Sequence, residues 1–440
     1  MDLGNEKTES TKEEKTFSKK FSRRGFLKTS VGMGVGAAGT ALFGSEMLGS
    51  NGVANAADIV KHDAMPVEIS SDYKRFEQKN AVLYRGMAGD PKVASYAMEY
   101  AGKRNGVIPQ KGGEGWGPVE AALDRGAWAV EDIVNHGLAS AGIASQGLFS
   151  WEGKVNPKVH QFESPEIASS TIKKVATFYG ASLVGIAPYD ERWVYSTIFD
   201  LATGASLPNK LAFEPKSVIS LAFEMDYEGY QTAPALPQTA SSATIYSNMG
   251  VTAAKIATFL RTLGYNVMPC SNDTGLSIPI AIQAGLGEIS RAGIIITPEY
   301  GPRVRLCKIF TDLPLAYDKP ITFGAMEFCK TCMKCADNCP SGAISKDVEP
   351  SFKVSNISTN PGVKKWAFDG EKCVKQWAAV GGDCGICIKV CPYNKKQEWH
   401  HDFVKLGTKT PARPILRFFD DLFGYGKISV EDATKNFWNK

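Results

Sequence analysis

The segment that decides the architecture is Cys329-Lys-Thr-Cys332-Met-Lys-Cys335-Ala-Asp-Asn-Cys339-Pro340. Cysteines at the spacing C-x2-C-x2-C-x3-C-P bind a [4Fe–4S] cluster, because the tight loop directs three thiolates at one cube. The fourth cysteine of such a run, before the proline, ligates the other cluster of a pair. The spacing therefore predicts a second cysteine run elsewhere in the chain.

That second run is Cys373, ten further residues, and then Cys384-Gly-Ile-Cys387-Ile-Lys-Val-Cys391-Pro392. It keeps four cysteines and the terminal Cys-Pro, but its first gap is longer than in the bacterial ferredoxin pattern. If the last cysteine of each run ligates the cluster of the other run, the eight cysteines form two sets of four. The first cysteine set comprises Cys329, Cys332, Cys335 and Cys391. The second cysteine set comprises Cys339, Cys373, Cys384 and Cys387, with the lengthened gap following Cys373.

Zinc and disulfides are the alternative interpretations of these cysteines. Disulfides are plausible in an exported protein, but the two Cys-x3-Cys-Pro runs suit cluster geometry better than bridges. Zinc sites use paired C-x2-C motifs without the Cys-Pro ending. The remaining two cysteines, Cys270 and Cys307, are expected to be small buried hydrophobes.

The composition is that of an ordinary globular protein. The chain has 440 residues, 43% hydrophobic and 22% charged, with a formal net charge of +4 and five histidines. This length indicates two or three domains. Basic and acidic residues are nearly equal in number, so the sequence has no marked excess of positive charge for binding a polyanion. Nucleic acid is therefore not an expected partner. The scarcity of histidine argues against a metal site built from several histidines.

The N-terminus has the three parts of an export signal. The sequence Arg23-Arg24-Gly-Phe-Leu-Lys28 precedes a Gly/Ala-rich stretch of residues 29–49, and Ala54-Asn-Ala56 resembles a cleavage site. Paired arginines predict the twin-arginine route, with cleavage after Ala56. The sequence Gly34-Val-Gly-Ala-Ala-Gly39 matches a dinucleotide-binding motif, but it follows no strand and is better explained as part of the leader.

Helices and short strands alternate in the middle of the chain, which predicts an α/β (α+β) core. Ser164 and Pro165 have the residue types of a helix start, and apolar residues then recur at helical spacing up to Gly180. A second helix is predicted over 243–263. Strands are predicted at 181–187, 217–223, 265–269, 293–297 and 304–310, with a helical segment at 278–284. The predicted division of the chain is 1–56 signal peptide, 57–160 N-terminal region, 161–320 core, 321–400 two-cluster ferredoxin-like domain and 401–440 helical tail.

A ferredoxin-like domain alone moves electrons. The long mature segment before it exceeds what an electron carrier needs, so the sequence predicts that it holds the electron sink. It contains no Asp-x-His-x2-Gly motif, no haem-attachment C-x2-C-H and no phosphate-binding loop. Spacing alone therefore does not name the sink.

Longer blocks of sequence make the chain recognisable. The leader, the block Ile278-Pro-Ile-Ala-Ile-Gln-Ala-Gly-Leu-Gly-Glu288, the block Ile296-Thr-Pro-Glu-Tyr-Gly-Pro-Arg-Val-Arg-Leu306 and the cysteine pattern together resemble the catalytic subunit of respiratory reductive dehalogenases. The resemblance covers essentially the whole chain, and its middle blocks are more specific than the cysteines. It implies a nitroreductase-like core that binds a corrinoid base-off, without a histidine below the cobalt, beside two [4Fe–4S] clusters.

The resemblance also implies a reaction and partners. An organohalide gains two electrons and a proton and loses halide. The enzyme would act as a terminal reductase on the outer face of the cytoplasmic membrane, held there by a small integral-membrane anchor protein. Its electrons would come from the quinone-linked respiratory chain.

Three site residues follow from the family pattern. Tyr246 is the implied proton donor, and Asn272 and Arg305 accompany it. Arg305 lies between apolar Val304 and Leu306, so strand alternation puts it on the opposite face. A cation there would make the phenol a readier acid. Ordinary structural roles are the competing interpretation for all three. The implied corrinoid contacts are Tyr246, Asn272, Gly285, Gly287, Glu288, Arg291, Thr297 and Leu306.

Two other functions compete with this one. Epoxyqueuosine reductase shares the corrinoid and the clusters but acts on tRNA in the cytosol, which the leader and the neutral charge disfavour. An exported iron–sulfur electron-transfer subunit would need no corrinoid. The organohalide itself stays open among chlorinated phenols, ethenes and alkanes. Trp116, Trp128, Tyr246 and Trp377 are candidates for the pocket wall, although core packing is the simpler interpretation.

Overall fold

The structure is a computed structural model that describes residues 59–105, 112–131, 148–149, 152–200, 203–396 and 413–439. The predicted signal peptide, residues 1–56, lies outside the described residues.

The central sheet has four antiparallel strands in the order β2–β5–β9–β6. Its two inner strands are long and almost fully buried, which places the core on both sides of them. The described strands are β1 Val60–Lys61, β2 Leu183–Pro188, β3 Thr197–Phe199, β4 Ser206–Pro208, β5 Ser217–Glu224, β6 Val267–Cys270, β7 Glu288–Ile289, β8 Ile295–Ile296, β9 Val304–Thr311 and β10 Ile321–Thr322.

Helices surround this sheet and form the cysteine-containing segment after it. The described α-helices are α1 Val82–Met87, α2 Ala94–Asn105, α3 Pro118–Val130, α4 Pro165–Phe178, α5 Tyr227–Gln231, α6 Leu236–Thr262, α7 Ser277–Gln283, α8 Ala325–Cys332, α9 Lys334–Asp337, α10 Gly370–Val380, α11 Ile386–Lys389, α12 Arg413–Leu422 and α13 Val430–Trp438. None of the helices in the described ranges is long and apolar enough to cross a bilayer.

Helix α4 begins where the sequence predicts. The Ser164 hydroxyl accepts a hydrogen bond from the backbone N–H of Ile167 at 3.3 Å, and Pro165 occupies the first turn. Such a cap satisfies one of the free N–H groups at a helix start. The predicted strands are present with ends shifted by a few residues.

Helix α6 begins at Leu236, earlier than the predicted start at residue 243. Every residue from 236 to 243 is buried. A helical segment that is buried all round has no polar face, so it lacks the periodicity that marks an amphipathic helix. The prediction for this helix start was wrong for that reason.

Two helical layers cover the central sheet. On one face, Ile172 of α4 and Ile256 of α6 pack with Ile219 and Ile309 of the inner strands. On the other face, Ile280 of α7 packs in a separate cluster with Val218 and Phe310, strand residues whose side chains lie on the opposite face of the sheet from Ile219 and Ile309. Alternation along each strand divides its side chains between these layers. The architecture is the mixed α/β core that the sequence predicts.

The two cysteines outside the cluster runs are fully buried. Cys307 packs in the core beneath α6, and Cys270 packs on the α7 side with Met268 and Phe310. Both match the expected role of small buried hydrophobes.

The cysteine segment wraps around short helices. Helices α8 and α9 carry Cys329, Cys332 and Cys335, and α11 carries Cys387. The lengthened gap after Cys373 is a helix, since this cysteine lies in the first turn of α10 and Gly381 ends that helix with φ of 77°. Most of the extra residues therefore belong to helix α10, and the two ends of the gap, Cys373 and Cys384, lie close to each other.

The C-terminal helices pack on this segment through buried charge. The Asp420 carboxylate on α12 forms ion pairs with Lys334 and Lys395, and all three side chains are at most 3% exposed. Lys334 lies between two first-set cysteines in sequence. A buried carboxylate shared by two ammonium groups holds α12 in one register, because loss of either charge would leave the other uncompensated.

Candidate active site

The first cysteine set lines a common cavity. Its four members border this space together with Cys387, Phe328 and Tyr393. Burial raises the pKa of Cys335 well above its ordinary value, and the nearby Cys329 and Cys391 raise it further. Cys391 is therefore close to three cysteines that lie more than fifty residues earlier in the sequence, while the assignment of these four to one cluster stays a prediction.

The second cysteine set is also assembled. Burial raises the pKa of Cys373 well above its ordinary value, with Cys387, Cys384 and Cys339 as the next causes, in that order. Cys373 therefore lies within electrostatic reach of the other three thiols despite its lengthened gap. Its role as a ligand stays a prediction, now with a geometry that permits it.

The chemistry of these thiols fits iron–sulfur clusters better than the alternatives. All ten cysteines lie in the described residues, and no disulfide joins any two of them. Among the described residues, no three His, Cys, Asp or Glu side chains converge on a position for a single metal ion, as zinc would require. Buried thiols with raised pKa values stay protonated unless a bound metal centre compensates the thiolate charge.

Glu288 supports the start of α8, the helix that carries Cys329 and Cys332. The carboxylate is buried and accepts hydrogen bonds from the backbone N–H groups of Ala325 at 3.1 Å and Met326 at 3.0 Å, and from that of Phe323. A carboxylate at a helix N-terminus satisfies free donors and complements the helix dipole. Both oxygens of Glu288 are thus engaged in the protein.

Arg291 is fully buried and holds the same segment from the other side. Its guanidinium donates to the Cys329 carbonyl at 2.8 and 3.0 Å and to the Ser345 carbonyl at 2.9 Å, and stacks 4.8 Å from the Trp366 ring centroid. Both side chains therefore support the cysteine segment, and a corrinoid contact for Glu288 and Arg291 stays a prediction.

Four other predicted corrinoid contacts occupy packing or turn positions. Gly285 has φ of 74°, and a Cβ at Gly287 would lie 2.0 Å from the Ile296 carbonyl oxygen. The Thr297 hydroxyl donates to the Gly301 carbonyl, and Leu306 packs on the α7 side of the sheet. These observations explain the residue types without a ligand, and a corrinoid contact for these four stays a prediction.

Tyr246 and Asn272 meet directly. The side-chain amide of Asn272 donates to the Tyr246 hydroxyl oxygen at 3.0 Å. Tyr246 lies in the middle of α6, and Asn272 follows the end of β6, where connecting loops commonly carry functional residues. Because the phenol oxygen accepts this bond, its own hydrogen stays available for donation to another group.

Arg305 completes the group. Strand alternation places it on the α6 side of β9, and its guanidinium carbon lies 5.3 Å from the centroid of the Tyr246 ring. Burial lowers the pKa of Arg305, but the nearby oxygens of Tyr230 and Tyr246 outweigh that effect and raise the pKa above its ordinary value. Arg305 is therefore a fixed cation against the face of the tyrosine.

Three residues that the sequence did not single out surround this cation. Arg305 Nη2 donates to the Ser242 hydroxyl at 3.1 Å and approaches the Asp383 carboxylate at 3.3 Å. The Tyr230 hydroxyl hydrogen-bonds to Ser242 at 2.7 Å. Two sequence signals point to these residues in retrospect: Ser242 precedes Tyr246 by one helical turn, and Asp383 precedes Cys384.

One of the three candidate tryptophans joins the site. Trp128 stacks on Tyr246 with ring centroids 5.5 Å apart and planes at 18°. Trp116 packs elsewhere, with its indole nitrogen donating to the Val380 carbonyl. Trp377 contacts Tyr100 at 5.5 Å between centroids. Trp128 therefore limits the motion of the proposed proton donor.

The site also fits a bound group that faces Tyr246 and Arg305. Arg305 Nε is buried and finds no partner among the described residues, whereas buried donors are normally satisfied. Asn272 is exposed although its amide is bonded to Tyr246. The two described histidines are engaged elsewhere, His62 with Thr322 and His160 with Phe162.

Comparison with known proteins identifies the cysteine segment first. The 4Fe-4S double cluster binding domain family matches residues 328–394, a range that includes all eight cysteines of the two sets. The predicted pair of [4Fe–4S] clusters is confirmed by this match, while the assignment of each cysteine to a cluster stays a prediction.

The whole chain is similar to characterised enzymes. It is 38% identical over 401 residues to a tetrachloroethene reductive dehalogenase of Dehalobacter restrictus, covering 74% of this chain and 73% of the relative. It is 31% identical to a tetrachloroethene reductive dehalogenase of Sulfurospirillum multivorans, covering 94% and 92%. By contrast, a curated epoxyqueuosine reductase of Lactococcus garvieae matches 28% of this chain.

The fold has a solved counterpart. A reductive dehalogenase structure associated with B12-dependent dehalogenation superposes with a TM-score of 0.66 at 23% identity, over 86% of this chain and 50% of that one. This chain thus spans about half the length of the solved protein. The identity and coverage of the curated relatives, together with this fold and the double cluster domain, place the chain in the reductive dehalogenase family, the corrinoid- and iron–sulfur-dependent oxidoreductases that remove halogen from organic compounds.

Proposed function

We propose that this chain removes chlorine from a chlorinated ethene by reductive dehalogenation: R–Cl + 2 e⁻ + H⁺ → R–H + Cl⁻. The observation that carries the proposal is the Tyr246–Asn272–Arg305 group, in which Arg305 contacts the residue before Cys384. The substrate class rests on the relatives named tetrachloroethene reductive dehalogenases.

In the proposed reaction, one part of the protein transfers electrons and another part delivers the proton. When bound, the clusters supply single electrons and the corrinoid supplies the reducing metal centre that acts on the organohalide. The two cysteine sets hold the clusters, and the family carries the corrinoid without a protein histidine. Residues at the tyrosine then determine where the proton is delivered and how charge is balanced.

Tyr246 is the proton donor in this proposal. The Tyr246 oxygen already accepts a hydrogen bond from the Asn272 amide, so the hydrogen of the phenol is available for donation to the substrate. Trp128 stacks on its ring and keeps the phenol in one orientation. A positioned acid of this kind contributes roughly 10²–10⁴-fold to rate.

Arg305 and Asn272 stabilise the oxygen after the proton has left. The cation lies 5.3 Å from the ring centroid, and the amide donates to the oxygen that becomes negative. An opposite charge and a hydrogen bond to the charged form both favour that form. The two residues thus lower the barrier to proton transfer without moving.

A panel of halogenated substrates tests the proposed reaction. With the purified cofactor-loaded protein and a low-potential electron donor, we expect chloride release from tetrachloroethene or trichloroethene, with one chloride formed for two electrons consumed. A chlorinated phenol and a chlorinated alkane serve as comparison substrates. Turnover of these compounds without turnover of the ethenes would contradict the proposed substrate, and absence of dehalogenation with every organohalide would contradict the proposed reaction.

We further propose that the chain is exported by the twin-arginine route and acts at the outer face of the cytoplasmic membrane. There it would bind a small integral-membrane anchor protein and receive electrons from the quinone-linked respiratory chain. The leader residues Arg23 and Arg24 support the export step. The need to insert cofactors before export agrees with a route that carries folded proteins.

Lysine at both Arg23 and Arg24 is expected to block export. The change keeps the positive charge but removes the arginine pair that the route requires. The precursor should remain uncleaved in the cytoplasm, as measured by cell fractionation and the mass of the N-terminal peptide. The control is a variant that keeps Arg23 and Arg24 but carries Lys19→Arg and Lys20→Arg. It also alters two basic residues of the leader and should be exported normally. Normal export of the Arg23/Arg24 variant would indicate a different route.

A further inference from the structure

Asp383 joins two side chains at the edge of the active site. Its Oδ1 accepts a hydrogen bond from the Tyr100 hydroxyl at 3.0 Å, and its Oδ2 lies 3.3 Å from Arg305 Nη2. The carboxylate is buried, with a side chain 8% exposed. A buried carboxylate is stable when it is paired and hydrogen-bonded, and both conditions hold here.

The carboxylate restrains the orientation of Arg305. The same Nη2 atom also donates to the Ser242 hydroxyl at 3.1 Å, so two acceptors hold this end of the guanidinium. The guanidinium carbon is then 5.3 Å from the Tyr246 ring centroid. Without the carboxylate, the serine would be the remaining acceptor at this end, and the cation would be free to turn from the ring.

The backbone around Asp383 is fixed against α6. The Thr239 hydroxyl approaches the Asp383 carbonyl at 3.5 Å. Gly385 has φ of 63°, and a Cβ there would lie 2.5 Å from the Gln238 side chain. The turn between α10 and α11 therefore packs directly on the helix that carries Tyr246. The same turn contains Cys384 of the second cysteine set.

We infer that Asp383 is a positioning residue for the reaction: it holds Arg305 against Tyr246 and fixes that arrangement to the loop of the second cysteine set. The inference rests on the proposed function for its kinetic consequence and on the contacts above for its structural one. The orientation of the Arg305 cation at the proton donor therefore depends on the folded position of the loop that carries Asp383 and Cys384.

The Asp383→Asn variant tests this role, since it removes the charge and keeps the shape. We expect kcat to fall roughly 10–100-fold, the range for loss of a hydrogen bond to a charged group. KM should change by less than about threefold, because the residue acts through Arg305 and not on the substrate. Asp383→Glu keeps the charge and should recover a large part of the rate.

Readouts other than turnover separate positioning from a merely structural role. Iron and corrinoid contents, and the EPR spectrum of the reduced clusters, should match those of the unaltered enzyme. A crystal structure of Asp383→Asn should show the Arg305 guanidinium displaced from the Tyr246 ring. In an Arg305→Met background, Asp383→Asn should cause no further loss, because residues that act as one unit are not additive.

Asp337 offers a matched control. It lies between Cys335 and Cys339 and pairs with Arg417 and Lys346. Asp337→Asn makes the same chemical change beside cysteines of both sets and should leave kcat within about threefold. Additive losses in the double variant, or loss of cluster iron in Asp383→Asn, would overturn the inference. If the unaltered enzyme released no halide, the proposed function would fail, while the position of Arg305 in the variant would still decide the role of Asp383.

Discussion

Tyr246→Phe is expected to lower kcat by roughly 10²–10⁴-fold, the usual contribution of a positioned general acid. The variant removes only the hydroxyl, so the ring can keep its stack with Trp128 and its contact with Arg305. Folding, iron content and corrinoid content should all be normal. Chloride release under saturating substrate, measured beside cofactor content, gives the comparison.

Two outcomes would contradict the role of Tyr246. Loss of the corrinoid in the phenylalanine variant would make the hydroxyl a structural or cofactor-binding group. Full cofactor content with unaltered turnover would mean that the proton comes from another source. Tyr179→Phe provides a control, because this tyrosine lies at the C-terminal end of α4 and its ring faces Lys255 at 5.8 Å.

Cys335→Ser is expected to remove one cluster and abolish dehalogenation. Two [4Fe–4S] clusters correspond to about eight iron atoms per chain, and loss of one should leave about four. Cys335 lies among Cys329, Cys332 and Cys391, so its loss removes a thiolate from the first set and not from the second. Iron analysis and EPR of the reduced protein measure both effects.

Cys270→Ser is the matched control for this change. Cys270 likewise forms no disulfide, but it packs in the core on the α7 side with Met268 and Phe310. The iron content of this variant should stay at about eight per chain. A Cys335→Ser protein with full iron and full activity would refute the proposed ligand sets.

The two replacements probe separate parts of one arrangement. Cys335 belongs to the cavity bordered by the first cysteine set, whereas Tyr246 belongs to the group around Arg305. Between them, Ile245, the residue before Tyr246, packs in the same cluster as Cys387. The proton donor and the cluster segment are therefore neighbours through α6.

Local sequence was sufficient for features that depend on short separations. The spacing of the cysteine runs predicted two clusters, because three ligands of the first cube lie within a few residues of one another. Ser164 and Pro165 marked the start of α4, because a cap acts on N–H groups two or three residues away. Strand alternation put Arg305 on the opposite face from Val304 and Leu306 for the same reason, and the structure shows that this is the α6 side. The family pattern then supplied the roles of Tyr246 and Asn272, which spacing alone did not assign.

Tertiary structure decided what lies between distant segments. Glu288 and Arg291 bind backbone groups of the cluster segment more than thirty residues further along, a role that no local pattern assigned to them. Asp383 and Arg305 are separated by 78 residues, and no local pattern relates a carboxylate before a cysteine to a strand arginine. Helix propensity, capping and ligand spacing act through neighbours in the chain, whereas burial and ion pairing depend on which elements the fold brings into contact.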